Sequence, residues 1–163
     1  MTTAQEEELW ASPRSISLFA SVLVHTCVDG DVPVVRGTVY EVARACGWMV
    51  AFSASTLAAS GRSQELLGAV LVLTRADSDR AGYTAPPAAP AGEPHPASTA
   101  VWLVAQEAAG HPQAVDMVMT QFLSVDLLGR AVVLAQATAH LLRLVDLAGA
   151  HATLRAHTVG ADL

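Results

Sequence analysis

The sequence predicts an all-α protein, and three observations carry that expectation. Helix caps and breakers recur along the chain at helical spacing. A Pro- and Gly-dense stretch divides it in the middle. No segment alternates apolar and polar residues with the two-residue period of a half-buried strand. The expected architecture is a bundle of five or six helices. Residues 13–148 form one domain, residues 1–12 (MTTAQEEELWAS) a flexible acidic arm, and residues 149–163 a Gly- and Ala-rich tail with a helical turn or two at most.

Each element follows from local chemistry. Ser12-Pro13 sets an N-cap hydroxyl ahead of Pro at the first helical position, where a missing N–H costs nothing. A helix over about 13–28 follows and stops at DGDVP. Thr38-Val39-Tyr40-Glu41 is a capping box, with hydroxyl and carboxylate each satisfying the other residue's backbone N–H. It opens a helix over about 39–59 that ends at Ser60-Gly61. Ser63 with Glu65 starts a third, over about 64–76. TAPPAAPAGEPHPAS, residues 84–98, holds too much Pro and Gly for a helix or an inner strand, so residues 82–97 are an irregular surface connection. Ser98 opens a helix over about 99–109, and Gly110-His111-Pro112 breaks the chain, with His111 as a cap. Pro112 heads a helix over about 112–123, and Ser124 with Asp126 caps the last, over about 125–148. One kinked helix over these last two is the alternative, since only Ser124 marks the joint. Val-rich runs at 70–73 and 131–134 favour strand locally but lie inside capped segments of helical length.

An internal echo suggests two related helical hairpin halves joined by the Pro-rich loop. Val42-Ala43 with Leu66-Leu67-Gly68-Ala69-Val70 resembles Val104-Ala105 with Leu127-Leu128-Gly129-Arg130-Ala131-Val132.

The stretch ACGWMVAFSASTLAASG, residues 45–61, has no charged side chain. It is shorter than the roughly 20 apolar residues of a membrane span, rich in Ser and Thr, and flanked by Arg44 and Arg62, so no span is expected. Ala43, Gly47, Ala51, Ser55 and Ala59 recur at every fourth position and give one helix a stripe of small side chains. Ala131, Ala135 and Ala139 form a matching stripe on the last helix. Small stripes let helices approach closer than the usual axis separation of about 8–10 Å. The two helices are expected to pack through them, or the stripe serves between two subunits. Trp48, Met49, Phe52 and Leu57 fall on the other faces, which makes that helix apolar nearly all round and central. Trp48 and Trp102 are expected in the core, and Trp10 either docks the arm or forms an exposed contact.

Chemistry is sparse. Ser17, Ser21, His25 and Asp29 share one face of the first helix in nucleophile–base–orienter order. A single straight helix lacks the sharp approach and oxyanion hole that such a set needs, so these residues read as a polar, solvent-facing stripe extended by Arg14. His140 with Gln136 and Arg143 reads as a second solvent-exposed face. His95 falls in the linker, and His151 and His157 in the tail. No histidine pair or carboxylate motif has metal-ligand spacing, and no phosphate loop or dinucleotide fingerprint is present. No catalytic residue, metal or cofactor is assigned. Asp126 and Arg130 are expected as a helix-surface pair. Cys27 and Cys46 read as buried free thiols.

Composition points to partners. Charged residues are 15% of the chain and hydrophobic residues 52%, against a usual charged share of about a quarter. The shortfall implies surface covered by another chain, most simply a twofold homodimer. Net charge is −6, and all nine basic residues are Arg, which argues against nucleic acid. The acidic N-terminus lacks a signal-peptide pattern, so a cytoplasmic location is expected. The expected function is a non-enzymatic protein–protein interaction module (adaptor, regulator or assembly factor) acting through apolar helix faces. The alternative is a ligand-binding or enzymatic bundle with an interhelical pocket near Trp48, Trp102 and His25.

Overall fold

A computed structural model describes residues 12–158 of the chain. Seven helices are described: α1 (Pro13–Val28), α2 (Val39–Ser60), α3 (Ser63–Arg80), α4 (Pro96–Ala108), α5 (Pro112–Val125), α6 (Leu127–Val145) and α7 (Ala150–Ala156). The expected Ser63 cap is instead the first residue of α3, whose N-cap Arg62 makes no side-chain capping bond. The described residues are all helix and connections, with no strand. Among the described residues the count is seven rather than five or six, because the tail restarts as α7. The acidic arm expected over 1–12, Trp10 included, lies outside the described residues apart from Ser12.

The Ser12 hydroxyl accepts from the Ser15 N–H at 3.2 Å. The Thr38–Glu41 box is complete, with both reciprocal bonds near 3 Å. Gly61 ends α2 in the left-handed conformation, φ +70°, the region that Gly enters without a Cβ clash. α3 runs on to Arg80, since no breaker precedes Gly82. α4 begins at Pro96, two residues before the expected Ser98 cap. Its cap is His95, whose Nδ1 accepts from the Ala97 N–H at 3.0 Å.

α5 and α6 are separate helices. Asp126 leaves the helical region at φ −161°, ψ 85°, and its Oδ1 accepts from the Gly129 N–H at 3.2 Å. The same turn recurs at Asp146, whose Oδ1 accepts from the Gly149 N–H at 3.0 Å. In both turns a Cβ on the glycine would collide with the aspartate carboxylate, so VDLLG and VDLAG encode one device twice.

The centre of the fold is α6, not the 39–59 helix: α6 packs against all six other helices. Its buried residues, from Ala131 and Leu134 to Thr138, Leu141 and Leu142, point in every direction. α2 instead buries one broad face, with Val42, Cys46, Met49, Phe52 and Leu57, and exposes the other. Inside the core the Ser53 hydroxyl donates to Thr138 Oγ1 at 2.9 Å, and Thr138 donates to the Leu134 carbonyl at 2.8 Å. That pair pins α2 to α6. Both helices are long and apolar enough to cross a membrane by length and composition, with 50% and 56% of their most apolar windows buried inside the fold. Core helices meet the same description.

Candidate functional site

Three surface depressions are the candidate sites. The most polar lies where the C-terminal ends of α1 and α3 meet the middle of α6. Its cavity of about 250 Å³ is lined by Asp77 and Arg80 from α3, Gln136, His140 and Arg143 from α6, and Cys27 with Gly30–Val32 from α1 and its exit. His140 Nε2 lies 2.6 Å from Asp77 Oδ2, and Arg80 pairs with the other carboxylate oxygen. A carboxylate at that distance fixes the imidazole's tautomer and orientation. Gln136, His140 and Arg143 are spaced to share one helix face. Gln136 and Arg143 make no hydrogen bond or ion pair to the described residues. Gln136 and Arg143 thus offer donors to a space of small-ligand size that the Asp31 and Asp77 carboxylates also line. The expected solvent-exposed face is corrected at His140, only 14% exposed because the extended α3 covers it, while Arg143 is exposed. Burial pushes the Cys27 thiol up to about 12, with the Asp77 charge adding to the shift. It is therefore no nucleophile near neutral pH. Cys46 is raised likewise by burial alone.

The second depression is an apolar groove of about 640 Å³ between α4, α5 and the Pro-rich connection, walled by Trp102, Val118, Phe122, Val125, Pro90 and Pro94. Trp102 is 39% exposed rather than core. Beneath the groove Arg130, 2% exposed, binds Glu93 through two contacts of 2.5 and 2.9 Å and stacks on Phe122 at 4.8 Å. The Arg130 pair holds the Glu93 carboxyl below its ordinary range. The expected Asp126–Arg130 surface pair is thus not formed: Asp126 caps α6, and Arg130 turns inward to anchor the loop.

The third, of about 590 Å³, is walled by Trp48, Pro112 and Met119 with Ala43 and Gly47, and carries Arg44, Glu107 and Asp116. Trp48 stacks on Phe52 at 5.0 Å. This groove continues the small-residue stripe of α2. Ala43 is half-buried, and Gly47, Ala51, Ser55 and Ala59 face solvent. A Cβ at Gly47 would meet nothing within 4 Å, so no other helix among the described residues approaches it. Ala131, Ala135 and Ala139 are buried. The two stripes do not meet within the chain. α2 turns its larger side chains inward because they remove more apolar area from water, about 25 cal/mol per Å², and the small ones are left outside.

The Ser17–Ser21–His25–Asp29 face is not a solvent stripe. Ser17 and Ser21 are 0% and 5% exposed, while His25 and Asp29 contact α7. Trp48, Trp102 and His25 do not share a pocket: the two tryptophans wall different grooves. His111 is the N-cap residue of α5 but makes no side-chain capping bond. Among the described residues no group of three or more metal-ligating side chains converges. Comparison with protein-family models, curated proteins and solved structures finds no match to the chain.

Proposed function

We propose that the chain is a cytoplasmic, non-enzymatic interaction protein that works as a homodimer, with no nucleic-acid partner and no membrane span. One observation carries the reading: the small-residue stripe of α2 faces solvent and runs directly into the Trp48 groove. A second α2 can lie close along such a surface. The groove charges suit a twofold axis, on which Arg44 of one copy meets Glu107 or Asp116 of the other. The low charged fraction supports the same conclusion. The Trp102 groove remains as the surface for a different protein, the adaptor side of the function. The finer architecture belongs to this reading too: a closed bundle whose α2–α3 and α4–α6 regions descend from one hairpin.

Ala51→Leu tests it. Ala51 is exposed in the single chain, so added bulk should change monomer stability by no more than about 0.5 kcal/mol. Across an interface it overpacks, at about 1–3 kcal/mol, which weakens the dimer roughly 5- to 150-fold. Trp102→Ser should leave the dimer intact. A second reading, a binder of a small oxyanion, is favoured by the donors around Asp77–His140. Saturable binding of inorganic phosphate, lost in Arg143→Gln, by a protein that stays monomeric would replace the first reading with the second.

A further inference from the structure

α7 is held to α1 by a chain of three polar side chains. His151 Nε2 lies 2.8 Å from Asp29 Oδ1, and His151 Nδ1 lies 2.5 Å from His25 Nδ1. The two rings meet edge to edge through these nitrogens, with centroids 4.8 Å apart and planes 14° from parallel. His25 sits in the last turn of α1, Asp29 is its C-cap, and His151 is in the first turn of α7.

Counting protons shows what this chain tolerates. Neutral His151 donates its Nε2–H to Asp29 and keeps a lone pair on Nδ1. Neutral His25, protonated on Nδ1, donates to that lone pair. One added proton is accommodated, because His25 then carries hydrogens on both nitrogens and still donates through Nδ1. A second added proton is not. Both facing Nδ1 atoms then bear hydrogens and each ring is cationic, so a hydrogen bond becomes a contact between two donors of like charge. Arg155 on α7 adds positive charge to the same site, and Asp29 is the anion that opposes it. No titratable group of α6 figures among the charges that bear on His25.

We propose that α7 is an acid-released cover: double protonation of the His25–His151 pair undocks residues 150–156 from α1 and α6 while the other helices stay folded. Beyond that pair, α7 is held by a short buried contact and by its C-cap His157, whose ring meets Phe52 edge-on at 5.3 Å. The helix has seven residues, too few for a stable isolated helix, and its buried residues are Ala150 and Leu154. The last described residue, Thr158, is also buried. Once detached, α7 melts and uncovers the apolar seam between α1 and α6. Burial, with His151 and Arg155, holds the His25 pKa below the ordinary 6.5. The undocked form therefore binds more protons. Docking is complete above that ordinary value, weakens as pH falls below it, and is lost when the second proton is taken up.

The test is hydrogen–deuterium exchange of the full chain at neutral pH and at about pH 5, each corrected for the intrinsic effect of pH on exchange. Peptides covering 150–156 should lose protection on the order of tenfold in acid, while peptides from α6 keep theirs. His25→Gln, which cannot become cationic, should abolish the acid response, and His151→Gln is the second variant should the first fail to fold. Equal corrected protection of 150–156 at both pH values overturns the proposal. So does parallel loss in α6, which would mean global unfolding, or an acid response that survives in His25→Gln.

Discussion

Removing Glu93 strands a buried guanidinium. Arg130 is 2% exposed, and its two contacts to Glu93 are its only ion pair among the described residues. What remains is a 3.3 Å bond to the Phe122 carbonyl and the stacking on the Phe122 ring. Its Nε is already buried without a partner. Breaking a buried pair from one side costs about 3–5 kcal/mol, because the other charge stays desolvated. Glu93→Ala is therefore expected to lose about 3 kcal/mol, the low end, since Arg130 keeps the Phe122 contacts. For a chain of this size that lowers Tm by about 6–12 °C. Arg130→Met removes the charge that burial penalises and fills much of the same space. Glu93, 18% exposed, then turns to water, and the expected loss is about 1 kcal/mol. Urea denaturation followed by circular dichroism measures both. The pH dependence provides a control. The folded-state pKa of Glu93 is depressed below 4.5 by Arg130, so its stabilisation is present above that value and is lost as pH falls through it. The gap between wild type and Glu93→Ala should close in that acidic window. A loss below about 1 kcal/mol in Glu93→Ala, or an equal or larger loss in Arg130→Met, would refute the reasoning.

Two further substitutions test the core and the turns. Thr138→Val removes the acceptor for the buried Ser53 hydroxyl and should cost about 1–3 kcal/mol; Ser53→Ala leaves Thr138 bonded to Leu134 and should cost less, an order that urea denaturation checks. Gly129→Ala drives a Cβ into the Asp126 carboxylate and breaks the cap of α6, for an expected loss of about 1–2 kcal/mol; thermal melting showing no change would remove the cap from the account.

Helix identity was legible because caps are local: Ser12, Thr38 with Glu41, and Gly61 act through bonds within four residues. The start of α4 differs from the expectation because an imidazole, less common as a cap than Ser, takes the cap position three residues earlier. The paired VDLLG and VDLAG turns were readable as a repeat, and they would have separated α5 from α6 and announced α7. The stripe of α2 was visible as a pattern, but its direction was not. Period four gives a helix two candidate faces, and the larger side chains on the neighbouring face decide which turns inward. Long-range partners left no signal at all. Asp77–His140, Glu93–Arg130 and the His25–His151–Asp29 chain join residues 37 to 126 positions apart, and only the packing of α3, α7 and the Pro-rich loop around α1 and α6 brings them together.

The central claim is that a second copy of the chain covers the solvent-facing stripe of α2. Sedimentation equilibrium of wild type and Ala51→Leu at micromolar concentration tests it most directly. The account predicts a wild-type mass of twice the 16.9 kDa chain, shifting toward the single-chain mass in Ala51→Leu while the helical circular dichroism signal is unchanged. A wild type that sediments as a monomer, or a dimer indifferent to Ala51→Leu, would contradict it.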